Sequence, residues 1–425
     1  MRQSVCCCLF LLALTFPTLL SGQMKPYAAL IKDAEVQRGG ITAYQKDGTY
    51  YLEIPAVAMD RDLIWYAEIS RGPYVQGMMG SEASPGSMID NRVVRLERRG
   101  DKLFVRDYSA PLDLRLAASA NTPASEQQSF EAALTETNLP SVLMAFPIVA
   151  ESPGGAIVVN GSAIFSRNLD QFDVKSKYPG ATVQDPNRSY VDEIRVFDTN
   201  VRVRSVLTFQ LAPNNNPLAA IIGRVNSRAA TVEVVHSLYL LPETRMQPRL
   251  ADPRIGYFQT AFLETLPEGG AEQKAYISRY RLEKKDPGAA LSEPVEPIVY
   301  YIGPNVPARW RPIFKEAVED WNVAFEAAGF RNAIVAKDPP DDPEWNPNDL
   351  GFSVIRWVAQ PIANARGPSV VDPRTGEILS AHVLIWEKVL DLAAGWYYFE
   401  GSALDPSAQR LPLPKAVQDR LMRYV

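Results

Sequence analysis

Apolar and polar residues alternate through much of the first 290 positions, which is typical of strands with one buried face. Residues 41–44 and 49–54 flank a turn at 45–48 that contains Asp-Gly, a strong indication of a β-hairpin. Residues 93–97 and 102–106 flank a second turn, which contains Gly-Asp, in the same way. The pattern therefore predicts an antiparallel sandwich or an open barrel.

Two segments of polar, turn-rich composition divide this β-rich region. Residues 78–87 are rich in Gly, Ser and Met, which predicts a loop and a candidate domain boundary. Residues 283–296 contain the sequence Lys-Lys-Asp-Pro-Gly, which is typical of a linker. We therefore predict a small β-rich N-terminal domain at 23–80 and a larger antiparallel β-rich domain at 81–290.

The pattern changes after residue 290. Residues 307–330 place apolar side chains every three or four positions, so they are predicted to form an amphipathic helix. Residues 414–425 have the pattern of a helix that has only begun. Strands are predicted between these helices and before them, at residues 297–302, 352–358 and 375–385. The predicted fold class is α+β, with antiparallel β-rich domains followed at 291–425 by a mixed α/β part.

Residues 1–22 have the composition of a secretory signal peptide. Arg2 supplies a positive charge, residues 5–20 are mostly apolar, and Ser21 and Gly22 are small residues suited to cleavage. A membrane anchor is the alternative, but the apolar run is short for a span and Pro17 interrupts it. No other segment is long and apolar enough to cross a bilayer. We therefore predict export to a periplasm, an outer surface or the medium.

Composition narrows the class of function. All three cysteines lie at positions 6–8, inside the predicted signal peptide, so the mature chain has no thiolate for disulfides or metals. The formal net charge of −5 and the absence of clustered basic residues argue against a nucleic-acid partner. The sequence also lacks a phosphate-binding loop and a Gly-x-Ser-x-Gly nucleophile motif.

Several longer motifs resemble a family of secreted bacterial zinc-dependent metalloproteases with matrixin-like catalytic domains. In the last third of the chain they are YYI at 300–302, WRP at 310–312, EDWNVAFEAAGF at 319–330, SVIRW at 353–357 and GPSVVDPRTGEI at 367–378. Near the front, AYQKDG at 43–48 and LEIP at 52–55 resemble the same family, whose β-rich N-terminal regions are catalogued as domains of unknown function. The resemblance covers nearly the whole mature chain.

The resemblance implies a zincin-like activity that this chain lacks by itself. In that family a His-Glu-x-x-His sequence binds zinc, and its Glu is the general base for water attack on a peptide carbonyl. The sequence is expected just after a helical segment such as 421–425, and it does not occur here. We therefore expect residues 291–425 to be the N-terminal part of a catalytic domain, inactive alone. Polypeptide would be the substrate of the complete protein, and a missing C-terminal catalytic portion would be a partner.

The two histidines of the chain do not suggest a replacement zinc site. His236 and His382 are far apart in sequence, and a catalytic zinc needs three protein ligands. His236 lies in an apolar strand, where a hydrogen bond to a backbone group is the simpler role. We predict no catalytic residue and no metal ligand in this chain, although zinc is expected in a complete family member.

One strand carries a different functional prediction. In zincins, the edge strand above the cleft pairs with extended substrate through backbone hydrogen bonds. The resemblance assigns this role to the strand that contains Ile378, Leu379, Ser380, Ala381, His382 and Val383. The alternative is an ordinary sheet strand without a ligand.

Two other functions stay open. The first is a non-catalytic exported module that binds extended polypeptide or glycan through the β-rich domains. The second is an unrelated hydrolase that uses carboxylates, which would keep its activity after strong chelation. Restored proteolysis on addition of a C-terminal portion would distinguish the protease fragment from the binding module.

Overall fold

The computed structural model of the protein describes residues 24–74, 82–109, 114–116, 123–212, 228–265, 270–343, 345–409 and 412–425. The predicted signal peptide at 1–22 and residues 78–81 of the predicted boundary loop lie outside these ranges. The described chain is rich in β-strands, and most of the strand pairs are antiparallel, as the sequence predicts.

The strands are distributed along the whole described chain. In the N-terminal part they are β1 (Glu35–Arg38), β2 (Thr42–Lys46), β3 (Thr49–Ile54), β4 (Leu63–Arg71), β5 (Met88–Arg99), β6 (Lys102–Asp107), β7 (Leu114–Leu116), β8 (Val142–Glu151), β9 (Ile157–Asn160), β10 (Ala181–Gln184), β11 (Tyr190–Val196), β12 (Asn200–Leu211), β13 (Ala229–Leu240), β14 (Gln259–Thr265) and β15 (Ala271–Ile277). In the C-terminal part they are β16 (Ile298–Ile302), β17 (Ile334–Lys337), β18 (Ser353–Val358), β19 (Ala365–Arg366), β20 (Ser369–Asp372) and β21 (Glu377–Trp386).

Helices are short and concentrate near the C-terminus. They are α1 (Tyr27–Ile31), α2 (Ala124–Thr137), α3 (Gly161–Phe165), α4 (Arg311–Glu319), α5 (Asn322–Ala327), α6 (Val389–Gly401) and α7 (Lys415–Tyr424). Single 3₁₀ turns occur at Ala56–Ala58, Asp170–Phe172, Lys175–Lys177, Pro186–Arg188 and Pro406–Gln409. In the described part of the chain, no helix has the length and hydrophobicity needed to cross a membrane.

A twelve-stranded sheet forms the body of the N-terminal part, in the order β1-β2-β3-β9-β8-β6-β5-β4-β13-β12-β10, with β11 also paired to β12. The sheet curls so that its two ends meet: Gly40, beside the first edge, donates a backbone hydrogen bond at 3.0 Å to the carbonyl of Phe197, which follows β11 near the other end. The curled sheet encloses an apolar core that includes Trp65, Phe165 and Phe172. The open-barrel alternative is therefore the observed one.

Both predicted hairpins form, since their turns have the backbone that the local sequence favours. Asp47 and Gly48 have φ angles of 50° and 73°, and Asp-Gly tolerates this left-handed pair in a two-residue turn. Gly100 in the second turn has a φ of 62°. The boundary predicted between residues 80 and 81 does not divide the sheet, because β4 pairs with β5 on one side and β13 on the other.

The C-terminal part contains a six-stranded mixed sheet in the order β17-β16-β18-β21-β19, with β20 also paired to β21. The strands β17, β16, β18 and β21 are mutually parallel, whereas β19 and β20 run antiparallel to β21. On one face, Phe314 of α4, Val389 of α6 and Met422 of α7 join strand residues in a single apolar core. The opposite face packs on the large sheet, where Leu350 and Val370 meet Ile64, Tyr66 and Val93. A separate three-stranded sheet has the order β15-β14-β7.

The predicted long helix at 307–330 is two helices, α4 and α5. The amide of Asn322 donates to the carbonyl of Ile334 at 2.8 Å and accepts from the Ile334 amide at 3.2 Å, so α5 begins where its first residue is tied to β17. Trp310 is buried, as expected for the apolar stripe, but the side chain of Trp321 is 64% exposed. The prediction of one continuous helix was therefore wrong at this position.

Candidate functional site

The strand predicted to bind substrate is not at a sheet edge. In β21, residues 382–386 pair with β18 on one side, while β20 pairs with residues 377–381 on the other. The backbone amide of Ile378 donates to Arg279 O at 2.8 Å, and that of His382 donates to Pro368 O at 3.0 Å. The edge position predicted for residues 378–383 is thus corrected: the hairpin turn before β21 folds β20 back onto it. The outer strands on this side are β19 and β20.

The six predicted residues separate into two groups by their surroundings. Ser380, Ala381 and His382 are buried, and the Ala381 amide donates to Ser353 Oγ at 3.0 Å. Val383 is half-buried against the helix side of the sheet. Ile378 and Leu379 are also half-buried, and both line a cleft between the large sheet and the C-terminal sheet.

A buried ionic cluster joins the two sheets. Glu68 of β4 is fully buried, and its Oε1 accepts a hydrogen bond from Arg356 Nη1 of β18 at 2.9 Å. Its Oε2 lies 3.3 Å from His382 Nδ1 of β21 and accepts from the Tyr66 hydroxyl at 3.3 Å. Arg356 also donates to Asn348 Oδ1, whose amide nitrogen donates to Ser70 Oγ at 3.0 Å. The Glu68 carboxylate thereby connects β4 to both β18 and β21.

The charges of this cluster determine the protonation of Glu68. Burial alone would raise the pKa of the carboxyl, but Arg356 and His382 outweigh burial and lower the pKa from 4.5 to about 2. The carboxylate is therefore ionised at neutral pH. His382 Nε2 has no hydrogen-bond partner in the described part of the protein, and neither has the buried hydroxyl of Ser380 two residues earlier.

Further polar contacts extend along the same interface. Asp349 accepts from Asn200 Nδ2 at 3.0 Å and lies 3.5 Å from Arg202 Nη1. Arg374 is also buried; its Nη2 donates to Asp372 at 2.8 Å and to the Pro242 carbonyl at 2.9 Å. These charged groups are buried between the large sheet and the C-terminal part. The two cannot separate without breaking the buried ion pairs and exposing their charges to water.

The cleft lies beside this interface and has a volume of about 1020 Å³. Residues from the end of β13 and the loop after it form one wall, including Tyr239 and Glu243. The starts of β16, β18 and β21 form the other wall, with Val299, Phe352 and Ile378 among its residues. A space of this size is at the upper end of the range for ligand pockets.

Two guanidinium groups in the cleft wall are already paired. Arg281 donates from Nε and Nη2 to the two carboxylate oxygens of Glu377, at 2.8 and 2.7 Å, and also donates to Thr244 O at 2.9 Å. Hydrogen bonding to Glu377 raises the pKa of Arg281 further. Arg61 lies 3.1 Å from Glu243. Each arginine of the wall therefore already pairs with a carboxylate that also lines the cleft.

The described residues do not fit a zinc ion. His236 and His382 lie on opposite faces of the large sheet, since His236 accepts from Trp65 Nε1 at 3.2 Å inside the barrel whereas His382 faces Glu68. Burial lowers the pKa of His236 to about 3, so it is neutral. Within the described ranges, no group of three or more His, Cys, Asp or Glu side chains is arranged to hold a metal.

The sequence did not identify the cluster around Glu68. Its partners Arg356 and His382 are 288 and 314 positions away, so no local pattern connects them. One indication was present: Glu68 is the single charge in the apolar run Leu63-Ile64-Trp65-Tyr66-Ala67-Glu68-Ile69. A charge on a buried face requires a partner, which points to an interface but not to its members.

Two family models match parts of the chain. Residues 24–72 match Domain of unknown function (DUF5118), and residues 86–285 match Domain of unknown function (DUF5117). The boundary predicted between residues 80 and 81 lies between the two matched regions. No curated protein matches the chain, and no solved structure matches it. The large sheet, from β1 to β13, accordingly extends over both matched regions.

Proposed function

We propose that the protein is an exported member of a zincin-like, zinc-dependent metalloprotease family, and that residues 291–425 are the N-terminal part of its catalytic domain. The observation that carries the proposal is the six-stranded mixed sheet. Its parallel strands have an antiparallel outer edge, β19 and β20, and the helices α4, α6 and α7 cover one face. The motifs at 300–302, 310–312, 319–330, 353–357 and 367–378 lie on this sheet, on its helices and on the connections between them.

Substrate pairing in this proposal is assigned to β20 instead of β21. The backbone of β21 is occupied on both sides, whereas β20 (Ser369–Asp372) has a partner strand on one side alone among the described residues. A strand edge without a partner strand can bind an extended polypeptide through main-chain hydrogen bonds. Residues 378–381 of β21 then pair with the edge strand, and the backbone amide of His382 donates to the Pro368 carbonyl just before it.

Zinc binding is assigned to chain that follows the last described helix. A complete family member is expected to hold zinc in a His-Glu-x-x-His motif, where the metal activates water for attack on the peptide carbonyl. The described residues do not fit this role, because no group of three or more potential ligands is arranged among them. Their part in the reaction is to form the sheet edge and to position α7, whose Met422 is buried beneath the sheet.

The test begins with the nucleotides that follow the codon for Val425. The protein extended by the downstream reading frame is expected to bind one zinc ion and to hydrolyse unfolded polypeptide, with loss of activity on chelation. The 425-residue chain is expected to do neither. A downstream sequence without His-Glu-x-x-His in any frame, or an extended protein without zinc, would overturn the proposal.

A non-catalytic binding module is the second candidate function, and the cleft of about 1020 Å³ favours it. The cleft combines half-buried aromatic rings with carboxylates, which suits a polar polymer. This function needs no metal. Ligand binding that survives strong chelation, by a chain that shows no proteolysis after extension, would favour the module over the protease.

A further inference from the structure

The cleft lies on the face of the C-terminal sheet that is turned away from the helices. Tyr300 of β16 packs into the core beneath α4, whereas its neighbour Tyr301 packs on Trp345 and Phe352. Successive side chains of a strand point to opposite faces, so Tyr301 and Phe352 belong to the cleft side. A ligand in the cleft would therefore not compete with α7 or with the core around Met422.

The carboxylates of the cleft outnumber its cations. Four acidic side chains and two arginines line it, and each arginine already pairs with one carboxylate. The two remaining carboxylates belong to Glu283 and Glu296, which are exposed and form no salt bridge within the described residues; Glu283 contributes to the raised pKa of Arg281. The backbone amide of Val295 donates to Glu283 O at 2.8 Å, so the two acidic residues lie on adjoining segments.

Aromatic rings supply the rest of the recognition surface. Tyr239, Tyr280, Tyr301 and Phe352 line the cleft and are half-buried, which leaves part of each ring to contact a ligand. Aromatic faces attract Lys and Arg side chains, whose aliphatic parts also pack well on apolar surface. No lysine lines the cleft, and its two arginines are paired with Glu243 and Glu377.

We propose that this cleft binds a Lys- or Arg-bearing segment of a polypeptide partner. The cationic head groups contact Glu283 and Glu296, and the aliphatic parts lie against Tyr301, Phe352 and Val299. A cleft of about 1020 Å³ has room for several residues, which favours a polypeptide segment over a single small cation. The proposal is independent of the zinc-dependent activity and gives the second candidate function its ligand.

The test uses a fluorescein-labelled 12-residue peptide of alternating Gly and Lys, and a matched peptide of alternating Gly and Glu. Fluorescence anisotropy with the mature chain is expected to show saturable binding of the Lys peptide and none of the Glu peptide. The double variant Glu283→Gln/Glu296→Gln is expected to weaken binding about tenfold, because two charge contacts of modest strength are lost. Added salt should weaken binding to the unmodified chain more than to the variant.

A matched control removes the same charge elsewhere. Glu126→Gln/Glu136→Gln changes two exposed carboxylates on α2 and should leave the affinity unchanged. Thermal unfolding of both double variants checks that the fold is intact. Equal losses in the two double variants would show non-specific charge attraction and overturn the proposal. Binding of neutral chitohexaose that displaces the Lys peptide would also overturn it, in favour of a glycan site. Neither result bears on zinc binding by the extended protein.

Discussion

Glu68 of β4 and Arg356 of β18 form a buried ion pair across the two sheets, with 2.9 Å between Oε1 and Nη1. The carboxylate has no exposed surface, and its second oxygen lies 3.3 Å from His382 Nδ1. Removal of one partner from such a pair leaves the other buried without compensation, which costs more than the pair itself contributes. The β-rich part and the C-terminal sheet are therefore expected to unfold together.

The first prediction concerns the charge of Glu68. Glu68→Gln keeps the shape of the side chain but leaves Arg356 without a counter-charge, so the free energy of unfolding should fall by about 3–5 kcal/mol. Urea unfolding of the mature chain measures this loss. Glu151→Gln is the matched control, because the Arg98–Glu151 pair has the same chemistry but lies on the surface. A shift for Glu151→Gln as large as that for Glu68→Gln would contradict the assignment.

The second prediction concerns acid stability. The pKa of Glu68 is lowered from 4.5 to about 2 in the folded protein, so its stabilising contribution is complete above pH 4.5. The contribution should be lost progressively as the pH falls from 4.5 to about 2. Glu68→Gln should therefore unfold with a weaker pH dependence in this window than the unmodified chain. Midpoints of urea unfolding at a series of pH values test this, and parallel curves for the two proteins would contradict it.

The third prediction concerns His236. Burial lowers its pKa from 6.5 to about 3, so the stability that depends on the neutral ring is complete above pH 6.5 and declines as the pH falls toward 3. His236→Leu should remove this dependence. At pH 8 the variant should also lose about 1–3 kcal/mol, because Trp65 Nε1 is left without its acceptor. Calorimetric unfolding at pH 8 and pH 4 separates the two effects. An unchanged pH dependence would show that His236 is not the group responsible.

Features formed by residues close together in the chain could be predicted from the sequence, whereas features formed by distant residues could not. The Asp47-Gly48 hairpin was predictable because its turn chemistry and both strands lie within a few residues. The internal position of β21 was not, because it depends on β20 folding back and on Arg279, about a hundred positions earlier, bonding to Ile378. The same holds for the cleft, whose walls come from seven separate stretches of chain. The resemblance predicted that Ile378 and Leu379 bind substrate at a sheet edge. In the structure they belong to a strand paired with β20, and they line the cleft because the start of β21 forms part of its wall.

The fourth prediction concerns the turn between β20 and β21. Gly376 has a φ of 78°, and a Cβ atom there would lie 2.3 Å from the carbonyl oxygen of Ile277. Gly376→Ala should therefore be strongly destabilising, since it adds a backbone clash to the strain of a positive φ. Gly180→Ala is the control: its φ is 84°, but nothing lies within 4 Å of the added atom. The control should cost about 1 kcal/mol and Gly376→Ala clearly more. Equal melting temperatures for the two variants would mean that the end of β15 does not approach the turn.

The last prediction concerns the attachment of α7. Met422 is 1% exposed and packs in the core with Phe314 and Val389, whereas its neighbour Arg423 reaches the exposed carboxylates of Glu316 and Asp320. Met422→Ala should lower the free energy of unfolding by about 2–5 kcal/mol, because it leaves a cavity in an apolar core. Arg423→Ala should have little effect, since the ion pairs that it removes are solvated. Urea unfolding of the two variants compares burial with charge on adjacent residues of one helix. A larger loss for Arg423→Ala would mean that α7 is held by its surface charges, and the sheet would then not fix the position of this helix.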